Sequence, residues 1–218
     1  MRWPANNSLM QIGILGSGNV GGALGTRWAH AGHQVIFSSR NPGSKEMTEL
    51  VLKAGKLASA ASPAEAAAAS DVILLATPWP ATKAVVTSIG DLSGKIIIDA
   101  TNPLLADLSG MDVGCTTSGA EMVAGWAPGA RVVKAFNTVG ASVMADSTVN
   151  GEKVVLFYCG DDAGAKKAVE QLVSELGFDA ADAGPLTQAR LLEPFALLWI
   201  SLAMKQGYGF HWGFKVVK

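Results

Sequence analysis

The stretch MQIGILGSGNVGG, residues 10–22, decides the fold. Its first half, QIGILG, is a short apolar run ending in glycine, suited to a parallel strand buried on both faces. Residues 19–31 then place Val20, Leu24 and Trp28 on one helical face, and Gly32 stands where a helix stops. Between strand and helix, Gly16-Ser17-Gly18-Asn19-Val20-Gly21 matches G-x-G-x-x-G. Gly16 permits the tight turn, Gly18 lets the backbone approach a pyrophosphate, and Gly21 lets the helix pack closely on the strand. The exposed N–H groups and the positive end of the helix dipole favour phosphate. In this strand–turn–helix setting the motif predicts a dinucleotide-binding fold.

Working outward, QVIFSS (34–39), DVILLAT (71–77), KIIIDAT (95–101), RVVKAF (131–136) and KVVLFYCG (153–160) read as further strands. Helical patterns cover 45–55, 62–69, 80–89, 118–126, 162–176 and 186–205. Strands alternating with helices predict an α/β, Rossmann-type doubly wound parallel sheet with a small C-terminal helical region. Residues 1–9 read as a disordered extension and 10–160 as the NADP-binding part. Residues 161–218 would complete the fold, border the acceptor and carry a dimer contact. The last helix is apolar on most sides, so with the tail GYGFHWGFKVV it is expected to be covered by a second copy in a homodimer.

The end of the second strand selects the cofactor. An acidic residue there would accept from a ribose hydroxyl and repel a 2′-phosphate. This chain has Ser38, Ser39 and Arg40, with Lys45 nearby. Small hydroxyl donors beside a guanidinium fork suit a phosphate, which predicts NADP(H). Thr77-Pro78-Trp79, Thr101-Asn102-Pro103 and Asn137-Thr138 end the next strands and are expected to wall the same crevice.

Composition excludes other classes. A formal charge of −1 lacks the basic surplus of a general nucleic-acid binder, and 49% hydrophobic residues supply a large core. The run Phe195–Met204 is about half of the roughly 20 residues a membrane span needs. Cys115 and Cys159 read as free thiols in a cytoplasmic protein, with Cys159 inert at the end of a buried strand, and no metal-ligand spacing occurs. His30 and His33, flanking Gly32, read as helix caps, and the segment around His211 as aromatic packing. Asp182, Arg190 and Glu193 read as a local ion-pair network around the last helix. With no acid–base pair evident, the chemistry expected is hydride transfer between bound cofactors held in position. The rival reading is a non-catalytic NADP(H)-sensing module.

The segments GSGNVG, SSRNP, ATPW, VVKAFNT and DAGPLTQARLLEP together resemble the NADPH:F420 oxidoreductase (F420-dependent NADP reductase) family over nearly the whole chain after Met10. The resemblance implies Rossmann-fold dimers that pass hydride between NADPH and the deazaflavin coenzyme F420. It implies that Ser17, Asn19 and Val20 contact phosphate and that Ser39 and Arg40 hold the 2′-phosphate. Pro78 and Trp79 would border the riboses, and Asn137 would sit beside the nicotinamide and acceptor rings as a positioning residue. Asn102 and Ala135 would complete the cofactor wall. AFNTV is equally similar to the cytosolic reductase domain of STEAP-type metalloreductases, which use a flavin and carry a membrane domain. The acceptor is therefore F420, a flavin or a ferric chelate.

Overall fold

The computed structural model describes residues 9–217; the expected N-terminal extension, apart from Leu9, and Lys218 lie outside them. Eight strands form one sheet in the order β10-β9-β6-β5-β4-β1-β2-β3. The chain builds β1 (Gln11–Leu15), α1 (Asn19–His30), β2 (Gln34–Ser38), α2 (Lys45–Ala54) and β3 (Ala58–Ala61) in one direction. After α3 (Pro63–Ala68) it returns to the other side of β1 with β4 (Val72–Leu75), α4 (Trp79–Ser88), β5 (Ile96–Asp99), α5 (Gly119–Trp126) and β6 (Arg131–Ala135). This reversal opens a crevice between the carboxyl ends of β1 and β4, where such sheets take ligands.

Strand alternation assigns the core. Val72 and Leu74 join one apolar cluster with Ile12, Ile14, Leu24, Trp28 and Phe37, while Ile73 and Leu75 join another with Val86, Ile97 and Val123. The two clusters cover the two faces of the sheet, which is why these strands read as unbroken apolar runs.

The sheet departs from the all-parallel expectation at one end. Past α6 (Ala141–Ala145), a small hairpin of β7 (Thr148–Val149) and β8 (Glu152–Lys153) turns at Asn150 and Gly151, both with positive φ. Such Asn-Gly turns match the twist of a hairpin. β9 (Val155–Gly160) then enters antiparallel to β6, with Lys134 opposite Cys159. α7 (Ala163–Glu175) returns the chain to β10 (Asp179–Asp182), parallel to β9. A 3-10 turn, Leu186–Gln188, leads into α8 (Ala189–Lys205). Among the described residues no helix is long and apolar enough to cross a membrane.

The two histidines expected to cap α1 do other work. The helix is closed by backbone alone: Gly32 N–H donates to Ala29 O and His33 N–H to Trp28 O, with Gly32 at φ 108°. His33 is buried; its Nδ1 accepts from Met10 N–H at 3.0 Å and its Nε2 lies 2.6 Å from Glu175, tying the start of β1 to α7. His30 Nε2 meets Lys53 O at the end of α2.

Candidate functional site

The three motif glycines serve different ends. At Gly16, φ is +100° and a Cβ would lie 2.4 Å from Ala76 O. At Gly21 a Cβ would lie 2.1 Å from Gly16 O and 2.7 Å from Ile14 Cγ2, so α1 approaches β1 only without a side chain there. Gly18 differs: its φ is −76° and a Cβ would meet nothing within 4 Å. No packing demands glycine at that position. α2, α3, α5 and α7 are each capped by a Ser or Asp side chain, whereas α1 begins at Gly18 with no side-chain cap and no acid in its first turn. Its first N–H groups are left for another acceptor.

A cleft of about 380 Å³ opens there, lined by Gly16, Gly18, Asn19, Val20, Thr77, Pro78, Trp79, Thr101 and Asn102 with Ala76 and Ala100. The strand ends of β1, β4 and β5 thus come together as expected. Thr77 Oγ1 hydrogen-bonds Thr82 Oγ1 at 2.9 Å, and Trp79 Nε1 donates to Asp112 at 2.8 Å while its ring leans on Trp126. Both prolines flanking Trp79 start α4 without a side-chain cap.

At the end of β2, Ser17 Oγ donates to Ser38 O at 2.9 Å, joining the glycine turn to the neighbouring strand. Ser38 itself is buried, Ser39 Oγ accepts from Asn41 N–H, and Ser39 is half-buried. Arg40 is exposed, and its guanidinium makes no hydrogen bond or ion pair with a described residue. Lys45 lies further out, 85% exposed and 3.9 Å from Glu49.

Asn137, just past β6, does not line this cleft; it is buried behind Asn102, which does. Its Nδ2 donates to Asn102 Oδ1 at 3.2 Å and to Leu192 O at 3.0 Å, and its backbone carbonyl accepts from Asn102 Nδ2 at 3.1 Å. The preceding Phe136 has φ 65° and is wholly buried, its ring edge-to-face with Trp28 and Phe178. A left-handed bulky residue costs about 1–2 kcal/mol and persists only where packing enforces it. Ala135 is fully buried within the core and is not brought to the cleft.

Beneath the cleft lies an ion cluster that the sequence did not announce. Lys134 Nζ is 2.9 Å from Asp99, 2.9 Å from Glu193 and 2.5 Å from Thr101 O, with all three charged side chains shut off from solvent. Asp99 Oδ1 accepts from the N–H and hydroxyl of Thr101. Glu193 accepts from the N–H groups of Gly119 and Ala120 at the start of α5. Burial alone would push the Lys134 ammonium down, but the attraction of Asp99 and Glu193 outweighs it and holds the group above its ordinary value. Lys134 is therefore a fixed cation rather than a proton carrier. A lysine in the apolar run RVVKAF and an aspartate closing KIIID were the available signals.

The expected network of Asp182, Arg190 and Glu193 does not form. Asp182 pairs with Lys166 at 2.8 Å, Arg190 with Glu121 at 2.5 Å, and Glu193 turns inward to Lys134. Asp182 ends β10, and Arg190 and Glu193, both on α8, face different partners, a placement invisible to spacing. An apolar groove of about 290 Å³ runs between β9 and α8, lined by Phe157, Ala183, Gln188, Leu191, Leu192 and Phe195. The tail folds back on α8, where Trp212 stacks on Trp199 at 5.4 Å. Both cysteines are free; burial pushes the Cys159 thiol up to about 12, whereas Cys115 is exposed. Among the described residues no group of His, Cys, Asp or Glu is arranged to hold a metal ion.

Residues 11–103 match the family model of coenzyme F420-dependent NADP oxidoreductases. The F420-dependent NADP reductase of Methanothermobacter marburgensis is 32% identical over 90% of this chain and 93% of its own length. The metalloreductase STEAP3 of Rattus norvegicus is 33% identical over 86% of this chain, which spans only 36% of that protein. A crystal structure of a candidate F420-dependent NADP reductase from Arthrobacter sp. FB24 superposes with a TM-score of 0.86 at 31% identity, covering 96% of this chain and 100% of that one.

Proposed function

Because this chain belongs to the F420-dependent NADP reductase family of NADP-dependent oxidoreductases, we propose that it passes a hydride between NADPH and a deazaflavin of the coenzyme F420 type. One observation carries the reading. The glycine at the mouth of an uncapped helix has no packing reason to be glycine, and an arginine with no partner among the described residues stands at the end of the adjoining strand. A backbone open to close approach and a guanidinium fork suit a pyrophosphate and a 2′-phosphate respectively. Ser17, Asn19 and Val20 would hold the former; Ser39 and Arg40, with Lys45 adding a distant charge, the latter. Thr77, Pro78, Trp79 and Asn102 would wall the riboses and the ring. NADPH, when bound, supplies the hydride; the protein orients it and excludes water.

Arg40→Ala tests this directly. Losing a charge-assisted contact to phosphate is expected to weaken NADPH binding about 10- to 100-fold and leave NADH binding nearly unchanged. The loss should fall in KM rather than kcat, since the contact is remote from the transferred hydride. Unchanged selectivity in the variant, or equal NADPH and NADH affinity in the parent, would overturn the cofactor assignment. The likeness to the metalloreductase STEAP3 supports a second reading, an NADPH-dependent flavin or ferric reductase, and comparing F420 with FMN, FAD and a ferric chelate as oxidants of NADPH decides between them.

The same reading includes a cytoplasmic homodimer. Leu191 (67% exposed), Leu198 and Met204 line the outer side of α8 and would be covered by a second copy. Light scattering should report twice the chain mass at micromolar concentration, and a stable monomer would remove that part of the proposal.

A further inference from the structure

Asp112 braces the cleft from outside it. The chain leaves β5 through Asn102 and Pro103 and makes a short excursion, in which Leu104 bridges Met111 antiparallel and Leu105 N–H donates to Gly110 O. That closure returns Asp112 to the side of Pro103. There its backbone N–H donates to Pro103 O at 2.8 Å, while its carboxylate accepts from Trp79 Nε1 at 2.8 Å. One residue thus ties the first turn of α4, which follows β4, to the segment that follows β5. Trp79 and Asn102 line the cleft on those two sides. The indole is also stopped from behind: its centroid is 5.6 Å from that of Trp126, and a Cβ on Gly119 would lie 3.1 Å from its Cζ3. Asp112 is exposed, so its bond to the indole adds little to folding, yet it immobilises a large half-buried ring at the edge of the cleft.

Resting on the NADPH reading above, we infer that Asp112 is a positioning residue, which through Trp79 sets the cleft wall in its binding arrangement before the nucleotide arrives. A ring already ordered need not be ordered on binding, and a ligand that must immobilise it binds more weakly. The carboxylate acts here as a hydrogen-bond acceptor, since its charge would only repel phosphate. Arg40 follows β2 and the uncapped α1 follows β1, whereas Trp79 follows β4 on the other side of β1. The effect therefore falls on the part of NADPH beyond its 2′,5′-ADP portion.

Calorimetric titration of the full chain with NADPH and with 2′,5′-ADP tests this. Asp112→Ala should weaken NADPH binding about three- to tenfold, the range for one ring left to be immobilised, and leave 2′,5′-ADP within about twofold. Asp112→Asn keeps an acceptor oxygen and the backbone N–H, and should bind NADPH within about twofold of the parent. In a Trp79→Ala background, Asp112→Ala should have no further effect. The inference is overturned, and the NADPH reading left standing, by an alanine variant that binds NADPH as the parent does or loses 2′,5′-ADP equally. An asparagine variant as weak as the alanine one, or a loss that persists without Trp79, overturns it in the same way. Failure of the parent to bind either nucleotide overturns both.

Discussion

Lys134→Ala is expected to destabilise the protein by about 3–5 kcal/mol, because removing one member of a buried ion cluster strands the others without compensation. Asp99 and Glu193 would then lie buried opposite each other with only hydroxyl and amide donors left. For a chain of this length the melting temperature should fall roughly 10 °C. A change below about 1 kcal/mol would mean that the two carboxylates find other partners. The pH dependence has a definite sign. The folded ammonium titrates above its unfolded value of 10.5, so its contribution is complete below pH 10.5 and is lost as pH rises through the higher folded value. Denaturant melts of the unmodified protein should therefore lose this contribution only above that point, and the alanine variant should lack that alkaline loss. Well-packed apolar residues often match or exceed a buried ion cluster in stability; this one joins β5, β6, α5 and α8.

Gly18→Ala and Gly21→Ala should separate binding from folding. A methyl at residue 18 meets no protein atom and its backbone is one any residue adopts, so the melting temperature should stay within a few degrees. The same methyl would occupy the space proposed for the pyrophosphate, and NADPH affinity should fall about 100-fold, near 2.7 kcal/mol. A methyl at residue 21 must displace the Gly16 carbonyl and Ile14, which costs about 1–3 kcal/mol of stability and distorts the turn as well. Thermal melts with nucleotide titration report both quantities. NADPH binding by Gly18→Ala at the parent's affinity would remove the pyrophosphate from this helix end.

The legible part of the molecule is the part whose signals are local. A buried strand, a glycine turn and an amphipathic helix each declare themselves within about a dozen residues, and β1, α1 and the cleft wall at Thr77 and Asn102 followed from them. β3 and β10 escaped because Ala-Ser-Ala-Ala and Asp-Ala-Ala-Asp carry neither branched nor aromatic residues, and their pairing is dictated by the strand beside them. The direction of β9 is likewise absent from its own residues; it follows from the chain's route through α6 and the hairpin. The cluster of Asp99, Lys134 and Glu193 joins three distant elements, and nothing near any one of them names the others. Asn137 ends a strand as Asn102 does, but its place behind Asn102 is visible only once the two are hydrogen-bonded.

β3 and β10 close the two edges of the sheet. Each is four residues long, one made of alanine and serine, the other bracketed by aspartates. A chain arriving to extend the sheet would find little apolar surface at the first and, at the second, Asp179 and Asp182 repelling a like edge. With a core as apolar as this one, such blunt ends disfavour growth of the sheet edge to edge into aggregates.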